Sequence, residues 1–316
     1  MNWAVIAATL GLLGCGAEHD APRPATLLFV GDMMLGRRVE AAMREQGDWS
    51  RPFRPLGARL RAADLTFGNL ECVTAASGRN RTTIEFRADP RVLAGLGFAG
   101  FDIVSVANTH TTDWGPDALQ EMLRKLTDAG ITFVGLDQGG VQSPVVLRAG
   151  GLRIGFLAFS HYVGGEEARN DAVRIAHIEG KQVIPAIVAA RSQVDYLVVS
   201  LHMGKEFAPR ADRAQRGIAH AVIEAGADLV VGHHPHVPQE VEKYGGGFIA
   251  YSLGNFVFDQ LDSSRDGAML EVTLAGAEPT RIAYVRTRIN DGFQPEAVSE
   301  ERWEGPALQG ADRVLN

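Results

Sequence analysis

Leu229-Val230-Val231-Gly232-His233-His234-Pro235-His236 decides the fold class. A short apolar run meets a glycine, and three imidazoles follow around a proline. Four other runs end in the same manner. Leu27-Leu28-Phe29-Val30 meets Gly31-Asp32, and Leu65-Thr66-Phe67 meets Gly68-Asn69-Leu70-Glu71. Ile103-Val104-Ser105-Val106-Ala107 meets Asn108-Thr109-His110, and Tyr196-Leu197-Val198-Val199-Ser200-Leu201 meets His202. Short runs rich in Val, Ile and Phe read as buried strands. Helical patterns lie between them, so the class is α/β with parallel strands and right-handed crossovers. In such a sheet the loops at the carboxyl ends of the strands converge on one crevice. Carboxylates, amides and imidazoles delivered there have the chemistry of a metal centre. His234 and His236, two residues apart in a loop stiffened by Pro235, can reach one ion or two neighbours.

Working outward, helices are expected over 37–46, 56–63, 91–96 and 117–129, then over 181–191 and 213–225. The fourth carries Leu119, Met122, Leu123 and Leu126 at helical spacing, opened by Pro116 and closed by Gly130. Residues 145–149 and 153–159 flank Gly150-Gly151 as a β-hairpin. Strands are expected at 195–201, 228–231, 239–243, 248–253, 268–273 and 281–288. Two sheets face to face with helices outside satisfy this order. The 316 residues then divide into a leader (1–14), a tether (15–25), one large domain (26–290) and a polar peripheral tail (291–316).

The first residues stand apart. Trp3 to Gly14 are apolar or small and end in Leu12-Leu13-Gly14-Cys15, which resembles a lipoprotein signal with Cys15 as the acylated residue. The stretch is too short to span a bilayer. The expected location is therefore the cell envelope, lipid-anchored on an outer membrane face. A buried N-terminal helix is the alternative. Cys72 is the second of two cysteines and reads as a small buried residue. A net charge of −7 argues against nucleic acid as a partner.

Gly31-Asp32-Met33-Met34, Asn69-Leu70-Glu71, the segment from Ala107 to Gly115, Gly232-His233-His234-Pro235-His236 and the segment from Tyr251 to Asp259 together resemble the CapA/PgsA family of bacterial capsule or poly-γ-glutamate synthesis proteins. The resemblance runs from about Leu27 to Asp259. It implies a four-layer αββα sandwich like that of calcineurin-type metallophosphatases, which hold two divalent metals. On that pattern Asp32, Asn69, Glu71, Asn108, His202, His234 and His236 are the implied metal-site residues. Met34 stands where the superfamily has His, and a thioether suits a hard ion poorly. Asn69 stands where a bridging carboxylate is usual, with Glu71 two residues on.

The donor set suits one or two transition-metal ions, Zn²⁺, Mn²⁺ or Fe²⁺, better than Ca²⁺. A bound ion lowers the pKa of its water toward neutrality. His110 is the expected general acid or oxyanion stabiliser, with Thr109 pointing away. Asp113 either holds a neighbouring side chain or caps the helix after it. His233 supports a ligand or the local structure. His161 lines the cleft or faces solvent, and Asn255 orients a His, binds substrate or shapes a turn. Arg87, sharing a strand face with Glu85, grips an anionic substrate or pairs with Glu85 or solvent; Lys205 has the same two options. The implied function is metal-dependent hydrolysis or transfer at amide or ester bonds of an anionic polymer, with a capsule-synthesis membrane complex and a small anionic substrate as further partners. A non-catalytic polymer-binding or assembly factor with a degenerate metal site is the second expectation. A metallophosphoesterase is the third, by fold analogy.

Overall fold

In a computed structural model of the chain, the structure describes residues 23–137, 139, 141–162, 173–178, 182–260, 262–308 and 312–314. The Leu12 to Cys15 signal and most of the tether lie outside the described residues. Among the described residues no helix is long and apolar enough to cross a membrane.

Two sheets lie face to face. From edge to edge the first consists of Pro295–Glu304, Glu278–Ile289, Asp266–Ala275, Ala25–Met33, Leu65–Leu70, Ile103–Ser105 and Thr132–Val134, with Asn255–Val257 beside the carboxyl end of Ala25–Met33. The second consists of Arg313–Val314, Val241–Tyr244, Gly247–Ala250, Leu229–His233, Tyr196–His202, Leu152–Ser160 and Val145–Ala149. The strands that carry the quoted apolar runs pair in parallel, as does the edge strand Thr132–Val134; the other outer strands of the two sheets pair antiparallel.

The apolar runs explain the layering. In a strand, alternate residues face opposite sides, so a run apolar at every position must be covered on both. Leu27 and Phe29 face the second sheet, whereas Leu28 and Val30 face helices. In the second sheet Val198 and Val231 face inward, and Leu197, Val199 and Val230 face outward. Phe67 stacks on Phe156 across the inter-sheet core, with ring centroids 5.9 Å apart. Such a pair is worth about 0.5–1.5 kcal/mol beyond the area it buries. The helices Arg37–Gln46, Leu93–Ala99 and Gly115–Asp128 pack their apolar stripes on the first sheet; Val183–Arg191 and Arg213–Glu224 cover the second. This is the four-layer αββα sandwich.

One expected element needs correction, and another gains a strand. The helix expected over 56–63 shrinks to Gly57–Leu60. Within 291–316, expected as a polar peripheral tail, Pro295–Glu304 pairs along its length with Glu278–Ile289 as an edge strand. That strand is mostly exposed and half of its residues are charged, so it carries no apolar alternation to read. Backbone pairing and ion pairs such as Arg59–Glu300 hold it, and its charges guard the sheet edge.

The chain crosses from the second sheet to the first through Tyr251 to Asn255, over the ends of both sheets. Two glycines permit this crossing. A Cβ on Gly31 would lie 1.9 Å from the Gly254 carbonyl oxygen, and one on Gly232 would lie 1.9 Å from that of Tyr251. Each glycine precedes a site residue, so the close approach sets Asp32 and His233 against the crossing segment.

Candidate metal centre

Register places the side chains. Asp32 pairs with Asn69 across parallel strands of the first sheet, and His202 pairs with His233 in the second. All four lie at carboxyl ends and are fully buried. Asp32 accepts hydrogen bonds from Asn69 Nδ2 (2.9 Å), His233 Nδ1 (3.0 Å) and the His234 backbone N–H (3.2 Å), and His236 Nδ1 lies 3.3 Å from its other oxygen. Burial would raise its pKa, but the bonds from His233 and His236 hold it well below the ordinary carboxylate range.

Glu71 is the opposite case. Its Oε2 accepts from Asn69 Nδ2 at 3.3 Å, while its Oε1 is buried without a hydrogen-bond partner. That oxygen lies 3.6 Å from His202 Nε2 and 4.0 Å from His236 Nε2. Burial, then the charge of Asp32, pushes the Glu71 pKa well above its usual value. A buried acceptor left unmet costs about 1–3 kcal/mol, so such a group calls for an explanation.

A divalent cation supplies one. Asp32, Glu71 and His202 offer ligand atoms within 4.8 Å of one another, and so do Glu71, His234 and His236. Donors about 2.0–2.2 Å from one ion lie roughly 4 Å apart or less, so small side-chain rotations close either set. Glu71 belongs to both sets, so it would hold metal bound at either. The unpartnered Nδ1 of His234 fits the same need. The residues present therefore fit the divalent metal that the donor chemistry implies.

The histidines are held for this purpose. His236 Nδ1 meets Asn255 Oδ1 at 2.9 Å, which leaves Nε2 turned toward Glu71. Asn255 in turn donates to Gln260 and to the Ser264 carbonyl, so it orients His236. Burial opposes the imidazolium of His236, but Glu71 and Asp32 outweigh it and raise its pKa to about 9. Burial, then His236, lowers that of His234 to about 4. Burial and His234 hold His202 well below the ordinary value. His234 and His236 both adopt positive φ, 97° and 59°. Such backbone costs on the order of 1–3 kcal/mol per residue and aims both rings at the crevice.

The two amides are tied into the site by hydrogen bonds. Asn69 turns its nitrogen toward Asp32, Glu71 and His202, and its oxygen accepts from Asn108. Asn108 Oδ1 accepts from the His110 and Thr111 backbones and the Thr111 hydroxyl. Both amides brace the loops that carry the site, Asn69 through Asp32 and Glu71 and Asn108 through the His110–Thr111 segment. Thr109 corrects an expectation: its Oγ1 lies 3.0 Å from His202 Nε2 and lines the cleft instead of pointing away. Strand alternation does not extend into this loop, which turns after Ala107.

His110 stands beside the centre. Its Nδ1 lies 2.7 Å from Asp113 Oδ2, and its ring packs 4.2 Å from that of Phe86. Asp113 thus positions His110; it makes no cap for Gly115–Asp128. His233 holds Asp32. Arg87 donates to the Ala75 and Ala76 carbonyls and lies over Trp114, so it braces a loop instead of facing the cleft. Met34 is packed in the core, and its sulfur accepts from the Gly36 N–H. Cys72 is buried too, and burial pushes its thiol up to about 12. His161 and Lys205 line a cleft of about 460 Å³ that opens beside Thr109 and His234. Tyr162 and Glu206, which sequence motifs did not single out, line it as well.

Residues 26–260 match the family model described as bacterial capsule synthesis protein PGA_cap. The chain belongs to this family. Among its relatives in this capsule-synthesis family, the PGA biosynthesis protein CapA of Bacillus subtilis is 32% identical, over 78% of this chain and 67% of the relative. The capsule biosynthesis protein CapA of Bacillus anthracis is 29% identical, over 87% and 70%. The 5′-nucleotidase of Candida albicans shares the fold, with a TM-score of 0.50 at 11% identity, over 85% of this chain and 52% of the nucleotidase. The capsule-synthesis family member thus has a metallophosphatase-like fold with a buried donor set suited to divalent metal.

Proposed function

We propose that this chain is a cell-envelope protein of the capsule or poly-γ-glutamate synthesis type that cleaves or transfers amide or ester bonds of an anionic polymer with the help of one or two transition-metal ions. The observation that carries the proposal is the buried, unpartnered Glu71 Oε1 between His202 and His236. The kinship with CapA proteins supports the polymer class and the envelope. Asp32, Glu71, His202, His234 and His236 would hold the metal, which would supply Lewis acidity and a water acidified toward neutral pH.

The chain's own residues do the rest. Asn69, His233 and Asn255 fix the orientation of the donors. Asp113 anchors His110 Nδ1, which leaves Nε2 to deliver a proton to a leaving amine or alkoxide. Thr109, His161 and Tyr162 form the wall of the cleft where substrate would rest.

The test combines elemental analysis of purified protein with single-turnover rates on poly-γ-glutamate and on a phosphodiester. Metal bound and polymer cleaved is the expected result. A fully metallated protein inert on both substrates favours a binding or assembly factor, a role consistent with the neutral Asn69 and the core-packed Met34. For the lipid anchor, Cys15→Ala and cell fractionation decide. A variant that stays membrane-bound with unchanged mass refutes anchoring through Cys15.

A further inference from the structure

The loop between Tyr196–His202 and Arg213–Glu224 has a shape that the metal centre does not require. It is pinned to the His233–His236 loop by Met203 N–H on the His233 carbonyl (3.0 Å) and Phe207 N–H on the Pro235 carbonyl (2.8 Å). Phe207 takes φ 60° and is half exposed, with its ring 6.1 Å from that of His236. Gly204 takes φ 111°, and any Cβ there would meet the Gln215 side chain. A bulky residue at positive φ persists where its surroundings over-determine it, and such strain gathers at ligand-binding sites.

This loop presents Lys205 and Glu206 to the cleft that holds Thr109, His161 and His234. Both are exposed, and neither side chain has an ion pair or hydrogen bond to a described residue. Asp212, from the start of the next helix, adds a second carboxylate to the wall. Tyr162 closes the other side, with its hydroxyl donating to the Gly204 carbonyl at 3.0 Å. A cleft built for phosphate gathers cations and N–H donors. This one sets one cation among two carboxylates, beside a metal centre. That pattern complements a group bearing an ammonium and a carboxylate together.

We propose that this cleft is a recognition subsite for an amino-acid-like terminus, in which Glu206 and Asp212 take a free ammonium and Lys205 takes the neighbouring carboxylate. The inference rests on the amide-cleavage function above and deepens it: the substrate is engaged at or near a free amino end. The same cleft is lined by Thr109 and His234, so a terminus held there lies beside the candidate donors.

The experiment measures binding by calorimetry on the full chain as purified, with three probes. They are a γ-linked glutamate dipeptide with both ends free, its N-acetylated form and inorganic phosphate. The dipeptide should bind, and acetylation should weaken it about tenfold, the worth of a hydrogen-bonded charge. Glu206→Gln should weaken the free dipeptide to the same degree and leave the acetylated form unchanged. Lys205→Met should weaken both peptide forms. Equal binding of free and acetylated peptide, loss of both in Glu206→Gln, no binding of either peptide, or phosphate bound tighter than peptide each overturns the proposal. Binding needs no turnover, so the two claims separate. Selective binding without cleavage sinks the catalytic function and keeps the subsite. Cleavage of end-blocked polymer with no preference for the free dipeptide does the reverse.

Discussion

Glu71→Gln should have opposite effects on the metal-loaded and metal-free protein. Glu71 belongs to both candidate ligand sets and is fully buried. A site of four ligands binds zinc with about 10–16 kcal/mol, so one ligand is worth roughly 3 kcal/mol, about a hundredfold in affinity. Removing a carboxylate common to both candidate ligand sets should weaken metal binding by that order. Without metal the sign reverses. Oε1 is then an unmet buried acceptor close to the Asp32 carboxylate, which raises the Glu71 pKa together with burial. A Gln avoids the cost of holding or protonating that charge, and its amide can donate to His202, 3.6 Å from the present oxygen. The gain should be about 1–3 kcal/mol, or on the order of 5 °C in Tm for a chain of this size. The assay is elemental analysis together with thermal melts before and after chelation. Metal should fall away in the variant, and the chelated variant should melt above the chelated parent. Wild-type metal content, or a lower Tm after chelation, refutes the role of Glu71 at the centre.

Three further outcomes are expected. His110→Ala should keep its metal and lose about 10²–10⁴-fold in turnover, whereas His236→Ala should lose the metal; metal content and rate measured on both variants check this, and metal loss from His110→Ala would make that residue a ligand. Gly232→Ala forces a Cβ to within 1.9 Å of the Tyr251 carbonyl oxygen and should cost about 1–3 kcal/mol or more, seen as a lower denaturation midpoint; an unchanged midpoint would show that the crossing segment yields freely. Arg59, with Arg302, lowers the pKa of Glu300 from 4.5 to about 2, so its carboxylate stabilises the fold above about pH 4.5 and that contribution fades as pH falls toward 2. Glu300→Gln should therefore be less stable than the parent at pH 7, with the gap closing in acid; a gap that is constant with pH would exclude the ion pair as its source.

The sequence by itself determined the framework. Apolar runs such as Leu27-Leu28-Phe29-Val30 need cover on both faces, and that forces strands between two layers. The helix Gly115–Asp128 was legible from Leu119, Met122, Leu123 and Leu126 at helical spacing. The placement of Asp32, His202 and His236 at strand ends follows from the same local signal, because parallel strands deliver their ends to one crevice. Only the tertiary structure decided what each neighbour does there. Thr109 faces His202, Asn108 spends its oxygen on its own loop, and Arg87 binds two backbone carbonyls. Asp113 holds His110, and Pro295–Glu304 becomes a strand with almost no buried side chain. Local periodicity reports burial, and these roles depend on partners brought close by the fold. The Asn69–Asp32 bond joins residues 37 positions apart, and the His233–Asp32 bond joins residues 201 apart. Hydrogen bonds of that span are set by strand register and by the chain crossing between the sheets, neither of which leaves a periodic trace in the residues that make them.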